Sequence, residues 1–177
     1  MSELRKTYAE GLFYLTFTVV GWADVFTRKS YTDELVKNLI YCQNNKGLNI
    51  YCYVIMTNHL HMIASREGDL LLSDLIRDFK SYTAKQLIIL ILENPQESRK
   101  EWLEMIFRYH GKGTKQNKDF AFWQKTSHPV PLWSADVIEQ KVDYIHNNPV
   151  RAGFVAEPQV WYLSSASPHS PIKVLDL

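Results

Sequence analysis

Two hydrophobic rhythms alternate along the chain. Phe13 to Val20, FYLTFTVV, is dense in β-branched and aromatic residues with Thr16 and Thr18 on one face, which predicts a first strand. From Tyr31 to Lys46 the apolar residues Leu35, Leu39 and Ile40 fall at helical spacing, and Gly47 supplies the stop. Asn49 to Met56, NIYCYVIM, is β-prone again. Thr57-Asn58 reads as a tight two-residue turn, Asn tolerating positive φ, into a further β-run that ends at Arg66-Glu67-Gly68-Asp69. The two runs are expected to pair as adjacent antiparallel strands.

Leu72, Leu75, Ile76, Phe79 and Leu87 predict a long helix from about Leu71 to Leu92, broken by Asn94-Pro95. A short amphipathic helix is expected around Glu101 to Tyr109, inside a basic stretch covering 96–119. Phe120 to Gln124, FAFWQ, reads as a short strand, and HPVPLW as an irregular extension. Ser134 is placed to N-cap a last helix, SADVIEQKVDYIHN, which Asn148-Pro149 terminates because a residue before proline avoids the helical region. The order β-α-β-β-α-β-α predicts an α+β fold of the ferredoxin-like βαββαβ type. Its antiparallel sheet carries helices on one face and adds a C-terminal helix bearing a tyrosine. One domain is expected over 1–177, with a basic insertion at 96–119 and an irregular tail after 156.

A chain of 177 residues, 46% hydrophobic and 22% charged, suits one domain with a proper core. Its formal net charge of +1 neither demands nor excludes a nucleic-acid partner, so any basic footprint is local. Arg77 and Lys80 on the long helix, Lys112, Lys115 and Lys118 in the insertion, and Arg151 after the last helix are the local basic candidates for such a footprint. A solvated face is an equal alternative for each lysine, and for Arg151 the alternative is that it holds the NPVRAG turn. Cys42 and Cys52 lack paired metal-ligand spacing and read as reduced packing residues. The apolar N-terminal run has no small-residue cleavage site and is too short to cross a bilayer, so a cytoplasmic protein without membrane association is expected.

The chemistry begins at MTNHLHMIAS, Met56 to Ser65. In a strand, His59 and His61 share one face about 7 Å apart and can lean onto a single metal ion. Satisfied core histidines are the alternative. On the last helix, Tyr144 and Asn148 are four apart and so adjacent, beside the packing stripe of Ile138, Val142 and Ile145, with Lys141 on the same flank. Here the alternative is an interfacial tyrosine with Asn148 as the helix stop. Tyr82, Tyr109 and Tyr162 read as packing or stacking residues, and His146 points roughly 200° away from Tyr144 around the helix.

VIMTNHLHMIAS (Val54 to Ser65), SDLIRDFKSYTAKQL (Ser73 to Leu87), FWQ (Phe122 to Gln124), DYIHNNPVRAGFV (Asp143 to Val155) and WYLSSA (Trp161 to Ala166) occur in this order. In that order they resemble the HUH single-strand DNA transposases, within them the single-tyrosine IS200-like group, and most closely the REP-associated tyrosine transposases. The resemblance implies that His59 and His61 hold a divalent metal, Mg²⁺ or Mn²⁺, and that Tyr144 is the nucleophile. In IS200-type relatives a glutamine four residues after the tyrosine completes the metal site. Asn148, one methylene shorter, stands there in this chain, with Gln140 or a water as alternative third ligands. The implied reaction cuts and rejoins single-stranded DNA by transesterification through a 5′-phosphotyrosine, at hairpin-flanked sites. IS200-type relatives are commonly homodimers, whereas REP-associated relatives act as monomers, so both states stay open. Competing expectations are an HUH replication initiator or relaxase, a catalytically inactive or host-adapted ferredoxin-like nucleic-acid-binding protein, and a His-ligated hydrolase of small molecules.

Overall fold

The computed structural model describes residues 11–68, 71–112, 120–125 and 129–177. Four strands form one antiparallel sheet: β1 (Leu12–Thr18), β2 (Leu48–Ile55), β3 (His59–Arg66) and β4 (Val130–Leu132), in spatial order β2-β3-β1-β4. The helices are α1 (Lys29–Lys46), α2 (Leu72–Glu93), α3 (Lys100–Gly111), α4 (Ala135–His146) and the single-turn α5 (Asn148–Arg151). The architecture is α+β and ferredoxin-like, with the first and third strands of the chain in the middle.

Strand alternation sorts side chains to two unequal faces. Phe13, Leu15 and Phe17 of β1 and Leu60, Met62 and Ala64 of β3 pack with Tyr31, Leu35 and Leu39 of α1, Phe79 and Leu87 of α2, and Leu103 and Phe107 of α3. The other face buries Cys52, Val54, Met56 and Ile63 under Ile145, with Tyr14, Ile138, Val142 and Tyr144 packed around them. Helices α1 to α3 thus cover one face and α4 the other. A register shift between Ile50 and Cys52 marks a bulge in β2. It lets Ile50 and Tyr53, an odd number of residues apart, enter the same core. Both cysteines are free and buried.

The fourth strand is not where the pattern places it. Phe122 and Trp123 are consecutive and both buried in the core under α1 to α3, which strand alternation forbids. The segment FAFWQ therefore makes one isolated bridge, Val19 to Trp123, and Val130–Leu132 completes the sheet. Pro131 is tolerated there because β4 is an edge strand. The opposite edge, β2, is covered by the tail. Ile55 N–H donates to the Leu163 carbonyl, Ser165 N–H to Tyr53, and Leu175 N–H to Ile50. Among the described residues no helix is long and apolar enough to cross a membrane.

A buried ionic cluster ties α1, α2 and α3 together. Glu97, in the turn before α3, has a fully buried side chain held by Arg28 at 2.8 Å and Arg99 at 3.0 Å. Tyr31 donates to it at 3.3 Å, and Arg99 reaches on to the Asp24 carbonyl at 2.7 Å.

Candidate active site

His59 and His61 lie on the α4 face of β3, opposite Thr18 and Thr16 of β1. Their ring centroids are 4.7 Å apart. The turn that leads into β3 is fastened from outside. Met56 N–H bonds the His59 carbonyl, Val19 N–H the Asn58 carbonyl, and Phe26 N–H the Thr57 carbonyl. Neither Thr57 nor Asn58 adopts the positive φ that the sequence allows. Instead the Asn58 side chain acts as a bridge. Its Nδ2 donates to Asp24 Oδ1 at 3.0 Å and toward the Trp22 carbonyl at 3.3 Å, which orients the amide. Asn58 Oδ1 must then accept from His59 Nδ1–H, at 2.7 Å. That bond fixes the His59 tautomer and leaves Nε2 with a lone pair.

His61 is secured differently. Its Nδ1 sits 2.8 Å from the Tyr14 hydroxyl and 2.9 Å from Thr16 Oγ1, so Nε2 is again the ring nitrogen left for the site. Burial, reinforced by His59 and Lys141, holds the His61 imidazole down to about 3. His59 is also lowered by burial, opposed by a side-chain hydrogen bond with Asn148 and by Asp24. Two neutral imidazoles therefore stand side by side.

Helix α4 brings the tyrosine over them. Ser134 caps it, its side chain accepting from Val137 N–H at 3.4 Å, and the fully buried Ile145 anchors it to the sheet. One residue before that anchor, the Tyr144 ring lies 5.4 Å from the His61 ring and 6.4 Å from Tyr14. Lys141 Nζ is 4.6 Å from the Tyr14 ring centroid and 5.6 Å from that of Tyr144. The Arg151 guanidinium is 5.4 Å from the Tyr144 centroid, so two cations flank this ring. Asn148 is not on the tyrosine helix. α4 ends at His146, and Asn148 opens α5, where Pro149 is accepted because a first helical turn needs no proline N–H. Asn148 nonetheless reaches His59, while Gln140 is exposed.

The remaining sequence candidates are scattered. Arg77 is on the α1/α2 side of the sheet, exposed and paired with Asp74 and Asp78. Lys80 is bonded at 2.7 Å to the Gln124 carbonyl, and burial lowers it to about 8. Lys112 follows α3 in a shallow depression with Arg108 and Tyr109. Lys115 and Lys118 lie outside the described residues. His146 turns from Tyr144 toward Cys52 and Ser165, at 3.3 and 2.9 Å. Tyr82, Tyr109 and Tyr162 are all exposed.

Sequence reasoning missed Tyr14, Asn58 and Asp24 as site residues and did not nominate Lys141. Lys141 carried a signal, one turn before Tyr144 on its flank. Tyr14 shares the face of Thr16 and Thr18, but only the β1–β3 register puts it beside His61.

The chain matches the family model described as "Transposase IS200 like" over residues 15–109, more than half its length. The match includes both histidines and stops short of Tyr144 and Asn148. No curated protein matches. Among solved structures, the chain is similar to a REP-associated tyrosine transposase bound to a REP hairpin, with 23% identity and a TM-score of 0.63, covering 93% of this chain and 82% of the other. A second structure, a putative transposase from Deinococcus radiodurans R1, has 15% identity and a TM-score of 0.45, covering 83% of this chain and 97% of that one. The sheet order, the histidine strand and the family match agree: this chain belongs to the IS200-like transposase family.

Proposed function

We propose that the protein is a metal-dependent endonuclease and strand transferase for single-stranded DNA, with Tyr144 as nucleophile. The observation that supports this most is the placing of the Tyr144 ring 5.4 Å from His61, on the face of the sheet where both imidazoles are held through Nδ1. In the reaction, Tyr144 Oη attacks the scissile phosphorus. A tyrosyl–phosphate bond forms as the bond to O3′ breaks, and the phenolic proton is balanced by the proton taken up at the leaving 3′-hydroxyl. Reversal by an incoming 3′-hydroxyl rejoins the strand, so no external energy source is needed. Lys141 and Arg151 supply positive charge beside the phosphate, and the Tyr14 and Thr16 hydroxyls keep His61 oriented.

The donor set fits a divalent cation: two neutral imidazoles with Nε2 unengaged by the bonds that orient them, and a carboxamide at His59. His59, His61 and Asn148 would hold Mg²⁺ or Mn²⁺, which supplies neutralisation of charge on the scissile phosphate. Nitrogen-rich donors favour Mn²⁺ of the two. A hairpin with a single-stranded flank is the substrate class we favour, because a similar structure was solved on a REP hairpin.

The test is incubation with labelled hairpin DNA and Mn²⁺, followed by a denaturing gel. A covalent protein–DNA adduct is expected; a gel shift without any adduct points to a binding protein and overturns the reading. His59→Ala should lower adduct yield at least about 100-fold at fixed Mn²⁺. Asn58→Ala should act more mildly, since it removes only the bond that fixes the His59 tautomer. The Mn²⁺ concentration for half-maximal adduct should rise about 10- to 100-fold, with the yield recovering at saturation.

A further inference from the structure

We infer that Trp22 is a stacking platform for a nucleobase beside the phosphate at the histidine pair, an inference that rests on the reading of Tyr144 and the histidines as a DNA-processing site. Trp22 ends the short 3₁₀ turn Val20–Trp22, and the residue is 62% exposed. It is also the one non-glycine residue with positive φ, 54°, among the described residues. An L-residue in that conformation is strained, and a large indole left in water adds a second cost. A position that carries both costs is the kind that function retains.

The surroundings hold the strained turn in place. Val20 N–H bonds the Phe122 carbonyl, and Trp22 N–H bonds Val19. Before it, Gly21 takes φ 64° and lets α3 approach closely. A Cβ there would lie 3.0 Å from Ile106 Cγ2 and 3.7 Å from His110 Nε2. The turn is thus wedged against the last turns of α3, where Arg108 and His110 also lie.

The position of the ring supplies the ligand. The indole and the His59 ring stand at 76° to each other, with centroids 6.3 Å apart. Asn58 connects the two, holding the Trp22 carbonyl through Nδ2 and His59 through Oδ1. The Trp22 backbone is tied to the same amide that orients His59, and the indole lies 6.3 Å from that imidazole, within one nucleotide's reach of any phosphate on the histidines. Among exposed aromatics, an indole face suits an unpaired base in any sequence, because stacking uses the π-face and not the hydrogen-bonding edge. The structure therefore assigns Trp22 to binding and base placement, with Tyr144 and the histidines left to the chemistry.

Trp22→Gly removes the ring and relieves the backbone strain, so it should fold at least as stably as the parent; Trp22→Phe keeps an aromatic face. The probe is a hairpin with a roughly ten-nucleotide single-stranded flank carrying 2-aminopurine at one position at a time, titrated without metal. The parent protein should quench one flank position by stacking. Trp22→Gly should restore that fluorescence and weaken binding about tenfold, and Trp22→Phe should keep most of both. Equal affinity and unchanged quenching at every position in Trp22→Gly overturns the inference. Adduct formation by the parent protein on the same DNA with Mn²⁺ reports separately on the chemistry. An adduct with no Trp22 effect sinks the stacking role alone. A Trp22 effect with no adduct sinks the transesterification and leaves the stacking. No binding at all removes both.

Discussion

Tyr144→Phe is expected to abolish the covalent protein–DNA adduct while leaving hairpin affinity and melting temperature unchanged. The substitution deletes one oxygen. The ring keeps its contact with His61 and its place between Lys141 and Arg151, so packing and charge around it persist. Without the oxygen no tyrosyl–phosphate bond can form, and the loss should be at least about a thousandfold, near 4 kcal/mol of barrier. Denaturing gels of wild type and variant on the same labelled DNA read the result. An undiminished adduct would move the nucleophile elsewhere. Tyr14 is the nearest rival, yet its hydroxyl is bonded to His61 and burial pushes it up to about 12, which makes it a poor nucleophile.

Glu97→Ala should be the most destabilising single change outside the core. The Glu97 carboxylate is fully buried between Arg28 and Arg99, whose hydrogen bonds, Arg99 foremost, hold it down to about 2 against the opposing effect of burial. Removing it takes the shared carboxylate from two partly exposed guanidinium groups and costs about 3 kcal/mol, or roughly 10 °C in melting temperature for a chain of this size. The sign in pH follows from the depressed carboxylate. Its contribution, about 3 kcal/mol, is complete above the unfolded value of 4.5 and is lost as pH falls toward 2. Thermal melts should therefore show wild type and Glu97→Ala converging as pH drops below 4.5. A constant gap between them down to pH 2 would falsify the ionic account. Because Arg99 also holds the Asp24 carbonyl, and Asp24 holds Asn58, the variant should disturb His59 as well.

Much of the architecture was legible because local rules agree with the final packing. Gly47 ends α1 at φ 67°, Ser134 caps α4, and the 59/61 spacing survives because both residues sit in one unbroken strand. The fourth strand was misplaced because a short aromatic run looks the same whether it pairs in a sheet or plugs a core. Phe122 and Trp123 do the latter together. Asn148 was assigned to the tyrosine helix because spacing by fours assumes a continuous helix, and Asn147 interrupts it before α5 begins.

By itself, the sequence determined the first three strands and the four longer helices, the shared face of His59 and His61, and the placing of Tyr144 beside its packing stripe. These follow from periodicity, which acts between near neighbours. Only the tertiary structure decided that Tyr14 and Thr16 clasp His61, that Asn58 links His59 to Trp22, and that Lys141 and Arg151 flank Tyr144. Those contacts depend on strand register, on the face of the sheet that α4 covers, and on a strained turn braced by α3. The clasp on His61 and the Asn58–Trp22 bond join residues far apart in the chain, where no local pattern in the sequence records the meeting.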